Sequence, residues 1–162
     1  SSCGRASASL EYVENMEIEC EESELFGDPE EFIELMKELH RGAELFQRTG
    51  GSHTAGISDG KELLYLMEDI GRHNAVDKAI GKAFLSGEEL SETVLLTSGR
   101  LSSEMVLKAI KSDIPIVVSR SAATTLAMRM ARVAHLTLIG FTRGNRLTVY
   151  SGEGRLEGLN WS

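Results

Sequence analysis

The chain has 162 residues, 41% hydrophobic and 26% charged, with two prolines and two cysteines. That length suits one domain with a core of its own. The composition excludes a Pro-rich disordered chain, a disulfide scaffold and, with no apolar run near the ~20 residues of a span, a membrane helix.

The net charge of −8 is lopsided: residues 1–38 hold 12 acids and 2 bases, residues 39–162 hold 13 acids and 15 bases. An anionic ligand on the second part is therefore compatible with the overall acidity. Duplex nucleic acid is disfavoured, because no dense basic run occurs. Ser1-Ser2-Cys3-Gly4 offers no basic or apolar leader, so it does not read as a signal peptide. Cys3 and Cys20 alone make neither a disulfide framework nor a four-ligand zinc site, and a reducing, cytoplasmic setting is the default.

Residues 1–9 are small and polar and read as a flexible cysteine loop. Asp28-Pro29 opens a helix, with Asp28 as N-cap and Pro29 at its first position. Phe32, Leu35, Met36, Leu39, Ala43 and Phe46 continue it as one amphipathic stripe of about five turns, ended by Gly50-Gly51. Two strands at 53–57 and 62–68 flank Asp59-Gly60, a hairpin signal. A helix at 72–85 buries Ala75, Val76, Ala79, Ile80, Ala83 and Phe84. Short apolar runs at 93–97, 114–119, 136–141 and 147–151 then alternate with helices at 102–111 and 121–133. That alternation predicts parallel strands joined by crossovers, a sheet covered on both faces, and one α/β domain over 1–162.

Ligands of open α/β sheets bind beyond the carboxyl ends of the strands. Three such ends are rich in arginine and hydroxyls: one with Arg100 and Ser102, one with Arg120 and Ser121, and one running from Phe141 and Thr142 through Arg143, Gly144 and Asn145 to Arg146. Two of them open into helix N-termini, which favour anions, and guanidinium adds bidentate donors. Together they predict a phosphorylated ligand. Without one, Ser102 and Ser121 are plain N-caps and the arginines surface charges. His73 and Asp77, four apart on one helix face, form a polar pair in which the carboxylate would orient the imidazole and raise its pKa. The alternative is a structural histidine at a helix end. Cys3, beside Arg5, is the better nucleophile, because Cys20 sits among Glu19, Glu21 and Glu22. His53-Thr54-Ala55 lacks the H-x-E of the zinc nucleobase deaminases, and no P-C-x-x-C follows, so no metal is expected.

Four stretches carry a resemblance: E-D-I-G-R-H-N-A-V-D-K at 68–78, T-S-G-R-L-S-S-E-M at 97–105, S-R-S-A at 119–122 and G-F-T-R-G-N-R at 140–146. They resemble the FdhD family of formate dehydrogenase accessory sulfurtransferases, and S-S-C-G at 1–4 resembles the start of its cysteine loop. The resemblance implies a three-layer α/β/α fold, a cytidine-deaminase-like mixed sheet without the deaminase zinc site. It implies that sulfur arrives from a cysteine desulfurase as a persulfide on Cys3. It implies transfer to the molybdenum bis(molybdopterin guanine dinucleotide) cofactor, bound as substrate by Phe141 through Arg146, before the cofactor enters formate dehydrogenase. Ala6 stands where the family's C-x-x-C has its second cysteine, which leaves one thiol to carry the sulfur. Family chains carry a further N-terminal region, which this chain is expected to lack. A non-catalytic chaperone that delivers the same cofactor is the alternative, and only Cys3 separates the two. Pairing as a homodimer stays open.

Overall fold

The computed structural model describes Glu11, Asn15, Ser23 and residues 25–158. Cys3, Cys20 and the 1–9 loop lie outside the described residues. Strands β1 (His53–Ser58), β2 (Leu63–Asp69), β3 (Val94–Thr97), β4 (Ile116–Ser119), β5 (Thr137–Arg143) and β6 (Arg146–Ser151) form one sheet in the order β2-β1-β3-β4-β5-β6. Only β3, β4 and β5 run parallel. β1 is antiparallel to both β2 and β3, and β6 is antiparallel to β5. The sheet is therefore mixed. The apolar runs at the C-terminal end end in a hairpin, with too few residues between β5 and β6 for a crossover.

Alternate residues of the central strands serve opposite faces, as a period of two requires. Val94, Leu96, Ile116, Val118 and Ile139 pack with Phe32, Leu35, Met36 and Leu39 of α1 (Pro29–Arg41). Leu95, Val117 and Leu138 point the other way, toward α3 (Arg72–Leu85), α4 (Ser103–Lys111) and α5 (Thr125–Val133). Phe32 is fully buried, so Phe32→Ala would cost about 3–5 kcal/mol in lost transfer energy and cavity.

Several expectations change in the structure. The long amphipathic helix is two helices, α1 and α2 (Glu44–Thr49), broken at Gly42-Ala43. The break has a cause: Glu68 of β2 accepts from the amides of Leu45 at 2.8 Å and Phe46 at 2.9 Å, capping a second N-terminus from across the chain. In α3, Ala75, Val76, Ala79 and Ala83 are buried as read, but Phe84 is 68% exposed. The Asp59-Gly60 turn is a four-residue loop in which Asp59 Oδ1 accepts from the amides of Lys61 and Glu62. Ser121 does not open α5; Thr124 is its N-cap. The intervening residues pair with the loop after β3 instead. Leu101 N donates to Ala122 O, and Thr124 N donates to Leu101 O. No helix among the described residues is long and apolar enough to cross a membrane.

Candidate functional site

The strand directions bring six chain segments to one sheet edge: the ends of β2, β3, β4 and β5, and the starts of β1 and β6. On the α1 side, this edge holds a cleft of about 600 Å³. Met36, Leu39 and His40 of α1 form one wall. Phe46, the 50–52 turn, His53 and Thr54 form the second, and Ser98, Arg120 and Arg143 close the strand ends. A recess of about 130 Å³ shares Met36, His40, Arg120 and Arg143 and adds Ile33, Lys37, Thr142 and Gly144. Among the described residues, those lining the cleft and recess include five basic or imidazole groups and no carboxylate. The arrangement suits an anion.

The strand-end loops are stapled to one another. Ser119 Oγ donates to Gly99 O at 2.6 Å and accepts from Ser121 N at 3.0 Å. Arg120 N donates to Thr97 O, and Arg143 Nε donates to Arg120 O at 3.0 Å. Arg120 Nη1 reaches the His40 ring, 2.9 Å from Nδ1 and 3.3 Å from Nε2. Ser98 Oγ accepts from Thr54 N at 3.0 Å and lies 3.4 Å from His53 Nδ1. The hydroxyl keeps its hydrogen and a second lone pair, so it can donate to His53 Nδ1 or accept from it, according to the ring's tautomer. On the second wall, Glu68 also accepts from Ser52 Oγ at 3.2 Å, so one carboxylate holds α2 and the 50–52 turn against β2.

Thr142 explains the recess. β5 departs from regular register between Gly140 and Arg143, and Phe141 takes a φ of 49°. The kink turns Phe141 outward, 46% exposed, and Thr142 inward, 2% exposed. Among the described residues, the Thr142 hydroxyl has no hydrogen-bond partner. A buried, unpaired hydroxyl costs about 1–3 kcal/mol, a cost that a polar ligand atom in the recess would offset. Gly140 permits the kink: a Cβ there would sit 2.7 Å from the Ser121 carbonyl and 2.6 Å from the Tyr150 ring.

The arginines separate. Arg120 and Arg143 line the cleft, whereas Arg100 and Arg146 are exposed and are not among its lining residues. Ser102 caps α4 through Met105 N at 3.4 Å, and Asn145 Oδ1 accepts from Lys37 Nζ at 3.3 Å. His73 and Asp77 do not form the expected pair. Asp77 binds Lys108 at 2.5 Å, and the nearest carboxylate to His73 Nε2 is Glu104, at 3.4 Å. Burial, then the charge of Arg72, pushes the His73 pKa down, not up. Arg72 itself packs across Gly99, where a Cβ would fall 2.9 Å from its own, and its buried Nε has no partner among the described residues. Asp69 is held by Lys78, Gly71 N and Asn74. Among the described residues, no group of three His, Cys, Asp or Glu could hold a metal ion.

Sequence reasoning missed His40 and Lys37, read only as helix residues, and Ser98 and His53 as cleft groups. The start of β1 joins the carboxyl edge only because β1 runs antiparallel to β3, and no local signal carries that pairing.

The FdhD/NarQ family profile matches residues 1–157. The chain is 44% identical over 128 residues to the sulfur carrier protein FdhD of Bacillus subtilis, covering 79% of this chain and 49% of that protein. It is 45% identical over 131 residues to that of Streptomyces avermitilis, covering 80% and 46%. It is 44% identical over 130 residues to that of Wolinella succinogenes, covering 79% and 45%. The chain thus spans about half the length of the curated relatives it matches. Its fold is similar to a crystal structure of a proposed formate dehydrogenase accessory protein from Desulfotalea psychrophila, with a TM-score of 0.77 and 31% identity over 82% of this chain and 57% of that one. With a profile match over nearly its whole length and several relatives above 40% identity, the chain belongs to the FdhD/NarQ family.

Proposed function

We propose that this chain is part of a sulfur carrier that serves formate dehydrogenase. In this reading the Cys3 thiolate attacks the sulfane sulfur of a persulfide on a cysteine desulfurase. A new S–S bond forms on Cys3 as the desulfurase's S–S bond breaks, and the desulfurase cysteine leaves as thiolate. The carried sulfur then passes to the molybdenum bis(molybdopterin guanine dinucleotide) cofactor, held as substrate in the Arg120–Arg143 cleft: the S–S bond on Cys3 breaks, Cys3 leaves as thiolate, and the two electrons that bring the sulfur to the sulfide level come from the reduced metal centre of that substrate. The observation that carries the reading is the similarity to proteins named as sulfur carriers. The basic cleft, with its unpaired Thr142 hydroxyl, supports the cofactor's phosphates as the bound groups. A reducing cytoplasm would keep the Cys3 thiol available.

The test is mass spectrometry of the full-length protein after incubation with a cysteine desulfurase and cysteine. One sulfur atom is expected on the Cys3 peptide. Cys3→Ala should abolish formate dehydrogenase activation in cells, and Cys20→Ala should leave it. Sulfur on Cys20 alone would overturn the assignment. Cofactor binding with no sulfur on either thiol would leave a non-catalytic chaperone.

A further inference from the structure

The recess of about 130 Å³ beside the larger cleft is too small for a ring system. At about 30 Å³ of liquid volume per water, it has the room of about four waters, which suits one phosphoryl group and excludes a purine or a pterin. Arg120 and Arg143 line both spaces and so stand at their junction. Two donors line the recess and not the cleft. The first is the Thr142 hydroxyl, on a side chain 2% exposed and without a hydrogen-bond partner among the described residues. The second is Lys37, which α1 brings to the recess from the other side of the fold. Its ammonium lies 2.6 Å from Glu34 Oε1 and 3.3 Å from Asn145 Oδ1. An ammonium has three N–H donors, so these two contacts leave one for a ligand. The Asn145 contact also holds Lys37 against the β5–β6 turn, so the cation is in place before a ligand arrives.

We infer that the recess is a subsite for the second phosphoryl group of a diphosphate ligand, with Lys37 and Thr142 as its specificity-determining residues. The inference rests on the reading of the cleft as a phosphate site. The organic part of the ligand and its first phosphoryl group occupy the cleft, against Arg120 and Arg143. The next phosphoryl group enters the recess, where its oxygens accept from the Lys37 ammonium and the Thr142 hydroxyl. Both are hydrogen bonds to a charged acceptor, stronger than those between neutral groups. Thr142 discriminates because its hydroxyl is already out of water. A monophosphate leaves it unpaired and bearing its desolvation cost, whereas a diphosphate relieves that cost. A site of this kind rejects a ligand that lacks the matching group. The ligand class is thus an organic pyrophosphate, selected over the corresponding monophosphate.

Calorimetric titration of the full-length protein with GDP and with GMP tests this, for the parent, Thr142→Val and Lys37→Met. Val replaces only the hydroxyl by a methyl group, and Met keeps an unbranched stem without the charge. The parent should bind GDP at least about tenfold more tightly than GMP. Thr142→Val should weaken GDP binding about tenfold, and Lys37→Met, whose side chain is partly exposed, about fivefold. Neither should change GMP binding by more than about twofold. Without ligand, Thr142→Val should melt at or above the parent's temperature, because it removes a buried unpaired hydroxyl. A lower melting temperature would show that the hydroxyl is paired in the free protein, and overturns its assignment. GMP binding as tight as that of GDP, or equal losses for the two nucleotides in both variants, overturns the subsite. Variants that bind GDP as the parent does also overturn it, and leave Arg120 and Arg143 as the phosphate site. A parent that binds neither nucleotide overturns the inference together with the phosphate reading on which it rests.

Discussion

Two side chains near the carboxyl edge hold their protons more weakly than in an unfolded chain, for different reasons. The hydrogen bond from Lys78, followed by those from Gly71 N and Asn74, lowers the Asp69 pKa from 3.8 to about 2. A carboxyl group with a lowered folded pKa adds stability that is complete above its unfolded value and is lost as pH falls through the folded one. The Asp69 contribution should thus drain away between about pH 4 and about pH 2. His73 is a base whose pKa is lowered from 6.5 by burial first and Arg72 second. Below that value the unfolded state binds the extra proton, so stability again falls on acidification, but in a window beginning near pH 6.5. Denaturant midpoints measured against pH should separate the two. Asp69→Asn should remove part of the slope below about pH 4, and His73→Asn part of the slope around pH 6. A slope near pH 6 that steepens in His73→Asn would contradict the direction assigned to the imidazole.

At the scale of elements, the strands and helices were legible wherever one face decides the pattern. The α1 stripe, the α3 alanines and the central apolar runs all follow from burial at a period of 3.6 or 2. What stayed hidden depends on partners distant in sequence. The α1–α2 break needs Glu68, some twenty residues downstream, as a cap. The late start of α5 needs Leu101 beside Ala123. The inward turn of Thr142 needs Ser121 and Tyr150 beside Gly140. The same logic explains the site: Arg120 and Arg143 were visible as strand-end cations, whereas His40 and His53 became cleft groups only through packing and antiparallel pairing. Gly140 offers the sharpest test at this scale. Gly140→Ala forces a Cβ against backbone and an aromatic ring, so a stability loss of about 1–3 kcal/mol is expected. Because the kink also places Thr142 and Arg143, GDP affinity should drop even at temperatures where the variant is fully folded. Unfolding curves and titrations on one preparation would show whether both losses occur; a variant as stable as the parent would mean that the close approach at Gly140 is absent.

Across the whole molecule, charge and topology divide the labour. The acid-rich first 38 residues hold 12 acids against 2 bases, whereas the remainder is nearly balanced, and the sheet collects Arg120 and Arg143, with His40 and His53, at one edge free of carboxylates among the described lining. Arginines elsewhere on that edge do not share this setting. Arg100 is exposed, and Arg146 lies beyond the kink as the cross-strand partner of Arg143. The four strand-end arginines should therefore differ in their effect on ligand binding. Arg143→Ala and Arg120→Ala should each weaken GDP binding by about 1.5–3 kcal/mol, the scale of a hydrogen bond to a charged group. Arg100→Ala should change it by less than about 0.5 kcal/mol, because an exposed cation outside the cleft acts only through a screened field. Raising the salt concentration should weaken parent binding and narrow the gap between parent and Arg143→Ala, since a partly solvated ionic contact loses most under screening. Calorimetry of these three single variants at two salt concentrations checks the ranking. If Arg100→Ala costs as much as Arg143→Ala, the anion sits over the β3 loop near Arg72 and Gly99 instead of in the cleft beside His40.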